Sequence, residues 1–271
     1  MGTIDRVILP VLTNLTLSAV YTYSLTIATI VTAITSPFSF FLLPKISHAL
    51  STSRETDSRT CIHGSLEIFY YLALPASLGA TILSKPLLEI LVGGVYASHY
   101  LVLQIMVFPY SFFSFRPILS SILLGNRKTG TYLYSGLAAL FANLILSIIL
   151  IPLFGIYGAV IASVSAWAAS TIPRMFSVNA LLDHSLSFVP YGRMWINAFI
   201  MAGTVFEVGE KFKFGFPNLF IPVLVGIGVY IVLSIVNRPF SVAARQLVSS
   251  IVTSEHPLFQ KLSLILMGQA K

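Results

Sequence analysis

The chain has 271 residues, of which 56% are hydrophobic and only 9% are charged. A soluble domain carries about 25% charged residues, so most of this surface must face lipid, and a polytopic membrane protein is predicted. The 16 Lys and Arg outnumber the 9 Asp and Glu, but they lie between apolar runs and form no basic patch, which excludes a nucleic-acid-binding protein. The lone Cys61 excludes an intramolecular disulfide and a cysteine metal cluster.

The apolar runs set the predicted fold, because a helix that crosses a bilayer needs about 20 apolar residues. A first run over residues 7–17 is too short to cross by itself. The longer runs that follow are 18–44, 64–84, 100–124, 131–151, 157–180, 193–208 and 217–236. The predicted fold class is therefore all-α, a membrane helix bundle of about seven full transmembrane helices plus the end of an eighth.

The connections between these runs are short and contain no Pro/Ser-rich linker, which favours one bundle of antiparallel helices. We expect a six-helix half-bundle over 1–180, with its first helix partial, followed by two additional transmembrane helices over 181–238. Residues 239–271 would form a cytosolic amphipathic tail. Within the tail, apolar residues recur at helical spacing over 240–253, with Arg245 on the opposite face, which is typical of a helix lying in the membrane interface.

The charge distribution predicts the orientation, since cytoplasmic loops carry the excess of Lys and Arg. Three cations fall on one side, namely Lys85, Lys211 and Lys213. Eleven fall on the other, namely Lys45, Arg54, Arg59, Arg127, Lys128, Arg174, Arg193, Arg238, Arg245, Lys261 and Lys271. The second side is therefore predicted to be cytosolic, and the C-terminus with it.

The stretch ILIPLFGIYGAVIAS, residues 149–163, interrupts two apolar runs without any charge. We interpret it as a short turn at the outer surface, in which Pro152 ends one helix and the next begins near Gly155. Gly158 then opens a face of small residues, which lets membrane helices pack closely.

Arg116 is the clearest candidate site residue, because it lies near the middle of the run 100–124. A charged residue at the centre of a membrane helix costs roughly 2.5–3.5 kcal/mol on insertion scales. The adjacent Pro117 frees a backbone carbonyl and can bend the helix toward a cavity. Arg116 either binds the phosphate of a lipid-linked glycan or is structural, capping freed carbonyls or pairing with a carboxylate.

Further polar residues fall within or beside the runs. Asp5 and Arg6 are a second candidate for the cavity, and because adjacent residues point about 100° apart on a helix, they are not expected to pair with each other. Asn143 lies in mid-span and is a third candidate, although such residues more often bridge helices. Glu67, one turn into its run, is explained by snorkelling to the interface.

Five stretches together resemble a known family. In order they are IDRVILPVL (4–12), AVYTYSLTIATIVTAITSPFSFFLLPKIS (19–47), LPASLGATILSKPLLEILVGGVY (74–96), LLGNRKTGTYL (123–133) and IPLFGIYGAVIAS (151–163). They resemble helices seven to twelve of the multidrug/oligosaccharidyl-lipid/polysaccharide (MOP) exporter superfamily, especially its polysaccharide-exporter branch, which includes O-antigen-type flippases. Members of this superfamily have two related halves around a central cavity, and this chain resembles the second half alone.

The resemblance implies a flippase in the cytoplasmic membrane that moves a lipid-linked oligosaccharide by alternating access, with Asp5 and Arg6 on a cavity-lining helix. The alternatives are a multidrug or cation antiporter of the same superfamily, which would place a buried carboxylate in the cavity, and a non-transporting half-length partner protein. The expected partners are membrane lipid, a lipid-linked glycan, and either a separately encoded N-terminal half or a second copy of the chain.

Enzyme signatures do not occur in the sequence. It contains no G-x-S-x-G, H-E-x-x-H or Walker motif, and the five His lie in loops without metal-ligand spacing. We therefore expect no catalytic residue, no metal and no cofactor, and transport that is not driven by nucleotide hydrolysis within this chain.

Overall fold

The structure, a computed structural model, describes residues 9–30, 33, 55–113, 115–182, 189–212 and 218–245. Every regular element in these residues is helical. The helices are α1 (Leu15–Ile30), α2 (Glu55–Ile82), α3 (Ser84–Leu91), α4 (Gly94–Ala97), α5 (Tyr100–Val107), α6 (Tyr110–Phe113), α7 (Arg116–Gly125), α8 (Thr129–Phe154), α9 (Ile156–Leu182), α10 (Val189–Lys211) and α11 (Phe220–Asn237).

Within the described residues, five helical segments are long and apolar enough to cross a membrane. They are Ile62–Ile82, Tyr100–Gly125, Thr129–Phe154, Ile156–Ala180 and Phe220–Asn237. Each overlaps a predicted run and differs from it by only a few residues at either end. The predicted class, an all-α membrane helix bundle, is confirmed. The predicted run 193–208 lies inside α10.

The helix in the second predicted run, about 18–44, begins three residues before the start of that run. The chain leaves a helical turn at residues 9–12, and α1 begins at Leu15. Asn14 precedes α1, and its carbonyl accepts the backbone N–H of Ser18 at 3.1 Å, which is the first bond of the new helix. Asn is a preferred residue at the position before a helix. The prediction counted apolar residues only and therefore did not use Asn14 to place the start of α1.

The long helices alternate in direction between two ends of the bundle, which we name the Gly125 end and the Gly155 end. Helices α2, α8 and α10 start at the Gly125 end, whereas α7, α9 and α11 finish there. The cations Arg127, Lys128 and Arg193 all lie at the Gly125 end, so the charge asymmetry seen in the sequence is also present in the folded chain.

Three apolar clusters form the core, and α9 contributes to two of them. The first joins α1, α3, α5, α9 and Ile151 of α8, the second joins α2, α7 and α9, and the third joins α2, α10 and α11. Helices α8 and α11 expose most of their apolar side chains. Helices α2 and α9 each contribute to two clusters and are central, whereas α8 and α11 are peripheral.

Helices α8 and α9 form a hairpin whose turn is the single residue Gly155, at φ +56°. Left-handed backbone favours glycine, which has no Cβ. Pro152 lies inside the last turn of α8, so the interpretation that it ends the helix is wrong by two residues. At Gly158, an added Cβ would collide with the backbone of Leu150 and lie 2.9 Å from the nitrogen of Ile151. The two helices therefore touch backbone to backbone at this point.

The additional helices α10 and α11 pack on α2 and hold the start of the tail there. Asn237 of α11 donates to the side-chain oxygen of Asn197 of α10 at 3.1 Å. Glu67 of α2 is only 4% exposed and accepts the backbone N–H of Ser241 at 2.9 Å. The snorkelling explanation for Glu67 is therefore wrong. Of the predicted tail helix 240–253, residues 242–245 form a helical turn, and those from 246 onward lie outside the described residues.

Candidate functional site

The segment Tyr100–Gly125 is one candidate span but not one helix. It is divided into α5, α6 and α7, whereas the sequence predicts a continuous helix with Arg116 near its middle. Arg116 is instead the first residue of α7, and Pro117 follows it in the first turn. Proline is favoured there because the first turn leaves backbone N–H groups without an intrahelical partner. The proline thus marks a new helix start inside the membrane segment rather than a bend in one helix.

Two arginines line one cavity of about 470 Å³ between α7, α8 and α9, which we call the arginine cleft. They are Arg116 of α7 and Arg174 of α9. The other lining residues are Pro117, Ser120, Tyr132, Leu133, Gly136, Leu137 and Leu140. No carboxylate lines this cleft among the described residues, so its net charge is positive.

Arg174 of α9 is held in a fixed orientation by groups from the other two helices, α7 and α8. It is 6% exposed, and its Nε donates to the Ser135 hydroxyl at 2.7 Å while Nη1 donates to the Ser120 hydroxyl at 2.8 Å. The guanidinium also lies 4.8 Å from the centre of the Tyr132 ring, within the range of a cation–π interaction. These contacts fix the Arg174 guanidinium before any ligand binds.

Arg116 is half-buried, and its guanidinium has no hydrogen-bond or ion-pair partner in the part of the chain that the structure describes. The two arginines are linked through Ser120, whose hydroxyl donates to the Arg116 carbonyl at 2.7 Å. Guanidinium groups bind phosphate and carboxylate through parallel N–H donors. Two guanidinium groups that line one cleft, with no carboxylate among its described lining residues, can hold an anion.

A second cavity, of about 240 Å³, lies on the other side of the α7–α9 pair and is walled by aromatic rings. Tyr70 and Phe115 stack with ring centres 4.5 Å apart, and Trp195 closes the far side. The Thr171 hydroxyl is buried in the wall and has no hydrogen-bond partner within the described residues. This aromatic cavity suits an apolar group, in contrast to the charged cleft.

The other predicted site residues do not join the arginine cleft. Asn143 is 7% exposed and belongs to the buried stripe of α8, where it interacts with its surroundings, and it lines neither cavity. Asp5 and Arg6 lie outside the described residues. Pro152, Gly155 and Gly158 lie at the opposite end of the hairpin.

Arg174 is the site residue that sequence reasoning missed. Its position near the end of a predicted span led it to be counted as a cation of the cytosolic side. The structure places it inside α9, directly after Pro173. The pair Pro173–Arg174 mirrors Arg116–Pro117, and the recurrence of an arginine beside a proline within an apolar run is the signal that could have found Arg174.

Comparisons with known proteins extend this description. No protein-family model matches the chain. It is 27% identical over 216 residues to a protein of Haloferax volcanii named "Probable low-salt glycan biosynthesis flippase Agl15", an alignment that covers 77% of this chain and 45% of that protein. The predicted resemblance to the MOP superfamily is confirmed.

A solved structure has a similar fold. The chain matches "Lipid II flippase MurJ, inward closed conformation" with a TM-score of 0.68 and 17% identity, over 81% of this chain and 47% of that one. The chain therefore spans less than half the length of either protein. Its fold matches that of just under half of this solved structure.

Proposed function

We propose that this chain forms half of a membrane transporter that flips a lipid-linked oligosaccharide across the cytoplasmic membrane by alternating access. The likeness in fold to a lipid II flippase, over 81% of the chain, carries this proposal. The sequence likeness to a glycan-biosynthesis flippase, over 77% of the chain, points to the same class of cargo. Neither protein is named as an enzyme, and the chain's role in this proposal is transport.

A cation or multidrug antiporter is the alternative within the superfamily, and it would be expected to use a buried carboxylate. Glu67 is a buried carboxylate of α2. However, one of its oxygens accepts the backbone N–H of Ser241, which ties Glu67 to the start of the tail. This structural use of Glu67 supports the glycan flippase over the antiporter.

The direct test is glycan export in a strain that lacks its own flippase. A cavity between two related halves cannot be built from one half, so we propose that the chain needs a separately encoded N-terminal half or a second copy. Expression of the chain together with the N-terminal half of a related flippase should restore surface glycan, whereas a monomeric chain alone should not. Full export by the monomeric chain alone would contradict the half-transporter proposal.

The orientation within this proposal places the Gly125 end in the cytosol. The excess of Lys and Arg at that end supports it. Cys61 is the only thiol, and it belongs to the start of α2, at the same end. A maleimide that cannot cross membranes should label Cys61 only after cells are permeabilised, and labelling of intact cells would reverse the orientation.

Arg116 keeps its predicted role as a phosphate ligand within the proposal. Three observations on the described residues support it: the Arg116 guanidinium has no partner among them, Arg174 lines the same cleft, and no carboxylate belongs to the cleft lining. A phosphate is the charged group that links lipid and sugar in such a cargo.

A further inference from the structure

After α11 the chain turns back onto the bundle through residues 238–244, which we call the strap. Arg238 ends α11 with φ +43°, in the left-handed region in which helices commonly end. The Arg238 carbonyl accepts Nη1 of Arg193 of α10 at 3.4 Å. Phe240 then packs on Tyr71 of α2, with ring centres 4.7 Å apart. The strap therefore contacts α10 first and α2 next.

The second part of the strap is a helix start that is capped from α2. Ser241 precedes the helical turn 242–245, and its hydroxyl accepts the backbone N–H of Ala244 at 3.4 Å, as a residue at a helix N-cap does. In a capping box, a Glu or Gln three residues later would accept the backbone N–H of the N-cap residue. Ala244 occupies that position and has no such side chain. Glu67 of α2 accepts the Ser241 N–H instead, at 2.9 Å, so one helix completes the cap of another.

Gly64, three residues before Glu67, lets the strap lie directly on the backbone of α2. A Cβ at Gly64 would lie 2.9 Å from the carbonyl oxygen of Ala243 and 3.1 Å from the Cα of Ala244. Distances this short would force the strap backbone to shift. Because residues three apart share one face of a helix, Gly64 and Glu67 together form a fitted seat for the strap.

The strap has fewer anchors than the helix that precedes it. Among the described residues, the hydrogen bonds from the strap to other helices are those of Glu67 and Arg193, and Val242 is 69% exposed. Helix α11, in contrast, packs so closely on α10 that a Cβ at Gly226 would lie 2.6 Å from Val205. Segments with few buried contacts open at a lower free-energy cost than a packed core. The strap can therefore leave its seat while the helices stay together.

We propose that the strap is a latch at the Gly125 end of α2, which Glu67 holds closed and which opens as a unit while α2, α10 and α11 remain packed. In the closed state, the latch fixes the direction in which the chain leaves α11. In the open state, it uncovers Glu67 and the surface at Gly64. The latch works within one chain and does not depend on the transport of any cargo.

Distances between spin labels can follow the strap in the purified full chain in detergent, by double electron–electron resonance. Cys61 is the only thiol, so Cys61→Ser gives a background without other labelling sites. Val242→Cys with Thr129→Cys, at the exposed first residue of α8, reports the strap distance. Thr129→Cys with Ile196→Cys, at a residue of α10 that is 57% exposed, reports the bundle distance. We expect one narrow distance from each pair in the chain that keeps Glu67.

Substitution of Glu67 should open the latch. Glu67→Ala leaves the Ser241 N–H without its acceptor, so the ratio of open to closed strap should rise by at least about tenfold. This opening would appear as a second, broader strap distance. Glu67→Gln keeps an oxygen that can accept the N–H, and it should open the strap less than Glu67→Ala does.

Substitution of Gly64 tests the seat without changing any hydrogen-bonding group. Gly64→Ala places a Cβ against the strap backbone and should also produce the second strap distance. Gly79→Ala is the matched control, because Gly79 belongs to the same helix and a Cβ there meets nothing within 4 Å. It should leave the strap distance unchanged, and the bundle distance should stay the same in every variant.

A strap distance that is unaltered in both Glu67→Ala and Gly64→Ala would overturn the latch. A bundle distance that changes together with the strap distance in both variants would also overturn it, because the strap would then not open by itself. If Glu67→Ala disturbs the bundle, Gly64→Ala decides, and a change confined to its strap distance supports the latch. Equal effects of Gly79→Ala and Gly64→Ala on the strap distance would contradict the seat and the latch with it.

Discussion

The α8–α9 hairpin and the interrupted segment α5–α7 lie side by side but are built on opposite principles. The hairpin consists of two unbroken helices of 26 and 27 residues joined by one glycine. The interrupted segment crosses a similar distance in three short helices. The arginine cleft lies where the two meet. The continuous helices support the site, and the broken segment places Arg116 in its lining.

Breaks inside a membrane segment are tolerated only where the freed backbone groups find other partners. At the first break, the Ser111 hydroxyl donates to the Phe108 carbonyl at 2.6 Å, and the Phe113 N–H donates to the Pro109 carbonyl at 3.0 Å. Turns thus satisfy the freed backbone groups at the first break. After the second, the Leu119 N–H donates to the Phe115 carbonyl at 2.9 Å, which is the first helical bond of α7.

The largest expected effect is on the hairpin. Gly158→Ala places a Cβ against the backbone of α8, and backbone cannot move aside as a flexible side chain can. The free energy of unfolding should fall by about 1–3 kcal/mol, measured by thermal or denaturant unfolding in detergent. Gly203→Ala is the control, because a Cβ there meets nothing within 4 Å, and it should be neutral or stabilising. Equal effects of the two substitutions would mean that the hairpin is not closely packed.

The second-largest expected effect is at Arg174, whose hydrogen bonds connect the hairpin to the interrupted segment. Arg174→Lys keeps the charge but loses the planar fork that reaches Ser135 and Ser120 together. The free energy of unfolding should decrease by about 1–2 kcal/mol, since a hydrogen bond to a charged group is lost. Combining Arg174→Lys with Ser135→Ala should cost less than the sum of the single changes. Simple additivity would show that Arg174 does not join α9 to α8.

Replacing the two prolines beside the arginines should affect the free energy of unfolding differently in the two regions. Pro173 lies inside the continuous helix α9, where a proline removes a backbone hydrogen bond. Pro117 lies in the first turn of α7, where none is lost. Pro173→Ala should therefore stabilise the protein by on the order of 1 kcal/mol, whereas Pro117→Ala should change stability by less than about 0.5 kcal/mol. A larger gain for Pro117→Ala would imply that α7 is strained at its start.

Sequence reasoning succeeded with the hairpin because its signals are local. The apolar runs had the right length, and the Pro-Gly-Gly pattern marked the turn to within two residues. It failed for the interrupted segment because the positions of the breaks depend on packing partners distant in sequence. Phe115, for example, stacks on Tyr70 of α2 and contacts Tyr191 of α10. For the same reason, the sequence did not predict that Arg116 and Arg174 line one cleft.

The smallest expected effect on stability, and the most informative one, is at Arg116. Its guanidinium has no partner among the described residues, so Arg116→Ala should change the free energy of unfolding by less than about 0.5 kcal/mol. If it binds the phosphate of the cargo, transport by the partnered protein, normalised to folded protein, should nevertheless fall by about tenfold or more.

Arg116→Lys separates charge from geometry at the same position. Lysine keeps the cation but cannot offer the paired donors of a guanidinium, so normalised transport should fall between the native and alanine values. A structural Arg116 predicts the opposite pattern, in which Arg116→Ala lowers the folded yield and leaves activity per folded molecule unchanged. Normal transport per folded molecule in Arg116→Ala would therefore end the assignment of Arg116 to the cargo.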